Sequence, residues 1–244
     1  MATATLSRPE RSTRTGPGAV HRGPSLALLA CISVGLFVAS LLIGNLMTGG
    51  AAFPTPYDPP DVARDYYGPH ADVIRVGAFL QLSSAIVLGL FSATVASRLR
   101  FLGLNVAGVT IALFGGTAAS LLLAVSALVT WVLTQPGMVD DLSTLRALQL
   151  FGFAAGGPAH VAMLGLLMAG VSIPAAFVRL MPRWVIWLGV ILALVAELST
   201  LSLILPMAAV LIPLARFPAF IWLIAAGFTI PTSRAGGDES DARD

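Results

Sequence analysis

The chain has 244 residues, 57% of them hydrophobic and only 11% charged, with a formal net charge of +2. Soluble domains carry roughly a quarter charged residues, so this composition excludes an ordinary water-soluble globule and points to lipid as the surrounding solvent. The charge balance gives no sign of a nucleic-acid partner, and the single Cys31 excludes both an intrachain disulfide and a cysteine-based metal site.

In chain order, residues 1–24 hold Arg8, Arg11, Arg14 and Arg22 among Ser, Thr, Pro and Gly, the composition of a disordered basic tail. The apolar run of 26–48 is longer than the core of a signal peptide and reads as an uncleaved first membrane helix. Residues 49–72 form the longest polar connection, with prolines dense enough to prevent a continuous helix. Its Tyr57, Tyr66 and Tyr67 are of a type found at the lipid headgroup level. Further spans follow at about 73–97, 105–134, 147–178, 184–205 and 207–230. A second polar loop with Asp140 and Asp141 precedes the fourth span, and a short acidic tail occupies 232–244. The fold class is therefore all-α, a polytopic bundle of six transmembrane helices. Ten of the fourteen arginines fall on the side of the two termini, so the positive-inside rule places both termini in the cytoplasm.

A few polar residues lie within the apolar runs. Glu197 is thirteen residues into the fifth span, about 20 Å deep at 1.5 Å per residue. An ionisable group in hydrocarbon costs several kcal/mol unless it is paired, which makes it a site hypothesis by default. Arg216 lies as far beyond the turn at Pro206–Met207 as Glu197 lies before it, so an antiparallel hairpin predicts a buried Glu197–Arg216 ion pair. Arg75, near the outer end of the second span, is the second candidate partner for the acid. Counted from Arg146, His160 lies about 21 Å from the outer face and is offset from Glu197 by about 11 Å. It is a candidate proton or ligand contact at a helix break made by Gly156, Gly157 and Pro158. The plainer reading is a neutral histidine bonded to a carbonyl that the proline has freed. Pro206, Pro213 and Pro218 mean that the sixth helix is either kinked or preceded by a non-helical segment over 206–216, which would line a cavity. Gly152 with Gly156, Gly115 with Ala119 and Gly116 with Ser120 are small-residue pairs that let helices approach closely.

No G-x-S-x-G, H-E-x-x-H, Walker A or dinucleotide-binding glycine motif is present. No cofactor or metal is expected. Bis-histidine haem lacks a second histidine in a span, and the loop acids Asp58, Asp61, Asp65, Asp140 and Asp141 read as solvated groups.

The stretch from Phe151 onward resembles uncharacterised six-helix bacterial membrane-protein families. It does so in the glycine-rich fourth span, in the turn Leu180-Met181-Pro182-Arg183-Trp184 leading to Gly189, and in Phe220-Ile221-Trp222-Leu223 before Gly227. The resemblance covers the C-terminal 80 residues or so, mainly 151–230. It implies the bundle architecture and a bacterial inner membrane, and brings no activity with it. Three functions follow as expectations. The first is a non-enzymatic structural or accessory membrane protein with Glu197 and Arg216 as a packing lock. The second is a small carrier or binding protein for a solute, lipid or proton, with a cavity near Glu197, Arg216 and His160. The third is a membrane enzyme. The expected partners are the bilayer and a membrane protein or second copy.

Overall fold

A computed structural model describes residues 20–50, 53–55 and 57–233. The described residues are mostly helical, and among them six helical units are long and apolar enough to cross a membrane. They are α1 (Leu26–Met47), α3 (Ala71–Phe101), α4 (Ala107–Leu133), the composite of α5 (Leu142–Ala154) and α6 (His160–Phe177), α7 (Arg183–Leu198) with the 3-10 stretch that carries it to Leu203, and α8 (Leu211–Thr229) with the 3-10 stretch that starts it at Pro206. A short helix, α2 (Pro60–Tyr67), lies between the first two spans. Each span packs on the one before and the one after, and α8 returns to α1, so the bundle is a closed circuit in chain order. The α5–α6 unit is the most enclosed, with two thirds of its apolar window buried.

Local chemistry sets the element ends. The Ser25 hydroxyl accepts from Leu28 N–H at the start of α1, and Asp141 caps α5 by accepting from Ser143 and Thr144. Gly103 closes α3 at φ 95°, in the left-handed region that suits glycine. Pro182 precedes α7, where a missing N–H costs nothing.

Small residues set how close the spans come. A Cβ on Gly115 would meet the α6 backbone at Leu167 N and Met163 O, and one on Gly116 would run into Ser92 of α3. Gly156 lies against Ser126, and Gly152 lies against Val129 less tightly, at 3.2 Å. In lipid, where apolar surface gives no burial drive, such close backbone approach is what holds helices together.

The spans differ in height. Measured from the helix ends beside the termini, 1.5 Å per residue carries a hydrocarbon layer of ~30 Å from Phe177 to Gly157 and from Arg183 to Leu203. The helices α3, α4 and α5 continue beyond that level and form a cap with α2. The cap has its own apolar core of Ala63, Tyr66, Tyr67, Ile74, Leu133 and Leu145, separate from that of the bundle. Arg146 Nη1 donates to Asp58 O at 2.7 Å and Gln149 Nε2 donates to Pro54 O at 3.2 Å, tying the connecting strand to α5.

Several expectations change here. The 49–72 connection is partly helical, because Pro59 and Pro60 stand at the N-terminus of α2, where proline's fixed φ favours a helix, and no proline follows until after Gly68. Tyr66 and Tyr67 are buried in the cap instead of lying among headgroups, and only Tyr57 is exposed. The sixth span is helical over Pro206–Thr229, so the non-helical alternative for 206–216 does not form. A 3-10 stretch, Pro206–Val210, leads directly into α8, with Pro213 in its first turn and Pro218 inside it. Of the segment expected to be a disordered tail, 1–19 lie outside the described residues. Residues 20–24 are placed: His21 N–H donates to Thr232 O, and Arg98 Nη2 donates to Pro24 O. Residues 234–244 of the acidic tail also lie outside the described residues.

Candidate functional site

Two of the ionisable residues within the spans, His160 and Arg216, lie at one feature, the junction of α5 and α6. Residues Ala155–Ala159 form a single π turn containing Gly156, Gly157 and Pro158, and Gly157 has non-helical torsions (φ −87°, ψ −107°). Pro158 has no N–H to donate, and its ring obstructs regular helical geometry. The His160 N–H bonds to the carbonyls of Ala155 and Gly157. The carbonyl between them, that of Gly156, accepts from the Arg216 guanidinium of α8. Arg216 is half-buried and lies over the ring of Phe37 of α1, 5.6 Å from its centroid. One arginine thus joins the break to two further spans.

His160 itself is buried, and its Nδ1 lies 2.8 Å from Ala119 O of α4. Its partner is a carbonyl on a neighbouring helix, whereas the carbonyl at the break itself goes to Arg216. Ser126 of α4 adds a third tie by donating to Gly152 O at 2.9 Å. The arrangement closes backbone valences around a helix break, in keeping with the rule that irregular backbone at membrane depth must be re-satisfied by neighbouring groups.

The expected Glu197–Arg216 ion pair does not form. Among the described residues the ion pairs are Arg64–Asp65 and Arg75–Asp72. The hairpin arithmetic assumed α-helix on both sides of a tight turn. Two 3-10 stretches, Ser199–Leu203 and Pro206–Val210, intervene instead, and each residue of 3-10 helix turns about 20° further than one of α-helix. Five such residues swing the next face by roughly 100°, so equal counting on both sides does not bring two side chains together. The Glu197 side chain is exposed on α7, its Oε1 lies 3.3 Å from where a Cβ on Gly165 would stand, and its carboxylate has no partner among the described residues. Its neighbours on that face, Leu194, Leu198 and Leu201, are also exposed. Arg75 is not its partner either: Nη1 donates to Asp72 at 2.9 Å and Nη2 donates to Thr134 O at 3.1 Å.

The depth order of the two residues is also reversed. Glu197 lies beside Gly165, nearer the end with the termini than His160 by about five residues, or ~7.5 Å. The earlier count began at Arg146, which belongs to the cap and not to the hydrocarbon boundary.

Outside the spans, the acids are held by local hydrogen bonds. The Thr55 backbone N–H, then its hydroxyl, hold the Asp58 carboxyl below its ordinary range. The hydroxyls of Ser143 and Thr144, then their N–H groups, do the same for Asp141. Burial pushes the Tyr67 phenol up. No three His, Cys, Asp or Glu residues among the described ones lie together as a metal-binding group.

The class these observations define is a six-helix, multi-pass membrane protein in which a proline break is tied to α8 by Arg216 and to α4 by the break's own His160. No family model, no curated protein and no solved structure matches the chain.

Proposed function

We propose that the protein is a non-enzymatic structural or accessory component of a bacterial cytoplasmic membrane, with both termini in the cytoplasm and the cap outside. The observation that carries this reading is the bond from Arg216 to Gly156 O. A charged group within the sixth span is engaged with backbone and braces the architecture. The arginine count on the side of the termini supports the orientation. Trp184 and Trp187, exposed at the start of α7, and Trp131, exposed near the end of α4, mark the two interfaces where tryptophan concentrates.

The test is Arg216→Met, read as yield and as unfolding of the purified protein in detergent. A brace predicts a clear loss of stability, because it leaves a carbonyl at the break unpaired. A variant as stable as the wild type would overturn the reading. The carrier reading draws on one further observation: Arg216 Nε is buried without a partner, leaving one donor for an anionic solute. A stable Arg216→Met protein that fails to replace the wild type in a deletion strain would decide for that alternative.

A further inference from the structure

At the end of the bundle that carries the termini, α4 and α6 touch backbone to backbone. A Cβ on Gly170 would lie 2.5 Å from Ala112 N and 2.6 Å from Gly108 O. Because Gly108 and Gly170 have no side chains, a concave apolar groove of about 570 Å³ is left alongside the contact, walled by Val106, Ile111, Ile173 and Pro174. Ligand sites typically span about 300–1,000 Å³. The groove's surroundings are strongly one-sided in charge. Gly103 and Val178, which follow the ends of α3 and α6, are among the residues that line it. The Gly103 N–H donates to Arg100 O, and Arg179 directly follows Val178. Both arginines are exposed, and neither has an ion-pair partner among the described residues. Every acid among the described residues is elsewhere, in the cap or at Glu197. Arg179 is also the one non-glycine residue among the described ones with a positive φ, 53°. That conformation belongs to the turn that ends α6, in which the Leu180 N–H donates to Ala175 O at 3.0 Å.

We propose that this groove binds an anionic phospholipid, with one acyl chain lying along Ile111 and Ile173 and the phosphate held by Arg100 and Arg179. Basic residues beside pockets between membrane helices are the usual receptors for such headgroups. An apolar slot that opens at the headgroup level next to two unpaired guanidinium groups suits a molecule with one long chain and one negative head. A zwitterionic lipid carries the same phosphate, but its own cation lies beside that phosphate and offsets the attraction of the arginines.

The test titrates the purified full chain, in neutral detergent, with phosphatidylglycerol and with phosphatidylcholine of the same chains, and counts retained lipid by native mass spectrometry. Phosphatidylglycerol should be retained over phosphatidylcholine by about fivefold for each arginine. Arg100→Gln with Arg179→Gln should bring the two lipids level. Ala169→Phe, which fills the groove, should reduce retention of both. The arginine variants sit at exposed positions, so they keep the test decisive even if the filled groove impairs folding. Equal retention of the two lipids by the wild type would overturn the proposal, as would a free fatty acid outcompeting the phospholipid.

Discussion

Gly170→Ala is the sharpest probe of how the bundle is held. The added methyl would stand 2.5 Å from Ala112 N, 2.6 Å from Gly108 O and 2.8 Å from Ala112 Cα, all backbone atoms that cannot rotate away. Reaching an ordinary 3.4 Å contact requires α4 and α6 to part by about 0.9 Å. A radial gap of 0.5–1 Å forfeits about a quarter to a half of the dispersion energy of the separated atoms, and overpacking of this kind costs about 1–3 kcal/mol. Alanine's better helix propensity returns about 1 kcal/mol, leaving a net loss of about 0–2 kcal/mol and a deficit of about 1–3 kcal/mol against a Gly→Ala change whose methyl meets nothing. Gly35→Ala is the control, because nothing lies within 4 Å of its Cβ position and only the propensity gain remains. Unfolding of both variants in mixed micelles, followed by tryptophan fluorescence against increasing SDS, gives the comparison. If Gly170→Ala matches or exceeds Gly35→Ala in stability, the glycine contact is not what joins α4 to α6.

Three further outcomes follow from particular contacts. Gly156→Ala should destabilise the protein, because its Cβ would run into the Ser126 side chain. Ser126→Gly should recover part of that loss in the double variant, even though it removes a bond to Gly152 O worth about 0.6 kcal/mol in a membrane bundle; additive losses in the same micelle assay would refute the fit. The Tyr67 phenol has a raised folded-state pKa because it is buried in the cap. Its stabilising contribution is therefore complete below the ordinary value of 10.0 and is lost as pH rises above it. Tyrosinate absorbance appearing in step with cap opening above that pH checks this, and full titration at pH 10 in a folded cap would contradict it. Glu197 should be modified by a lipid-soluble carbodiimide in intact membranes, with Glu197→Gln as the blank, and absence of labelling would mean that the carboxyl is covered.

The spans were legible because the signal is additive: about twenty consecutive apolar residues announce a crossing whatever their order. The cap was not legible for the opposite reason. The helix α2 has eight residues, two of them acids and one an arginine, and its membership of a core depends on Leu133 and Leu145, distant in sequence. Tyr66 and Tyr67 therefore read as interface residues when they are core. Arg216 and His160 were recognisable as residues needing partners, but their partners are the carbonyls of Gly156 and Ala119. Every residue carries a carbonyl, so no residue type in the sequence announces which one will be free. A helix break is the only hint, and Gly156-Gly157-Pro158 does supply it.

The break and the arginine offset one another. A carbonyl left open in hydrocarbon costs several kcal/mol, and so does a guanidinium without a partner. Joined as in Arg216–Gly156, each removes much of the other's cost. Their depth helps as well. The π turn falls about 30 Å from the end with the termini, where the hydrocarbon gives way to the cap and a long arginine stem can reach toward more polar surroundings. Glu197 has neither advantage. It lies deeper, on a face of exposed leucines, with no freed carbonyl or cation beside it. The same rule that makes Arg216 a brace therefore leaves Glu197 as the ionisable residue of the bundle without a partner among the described residues.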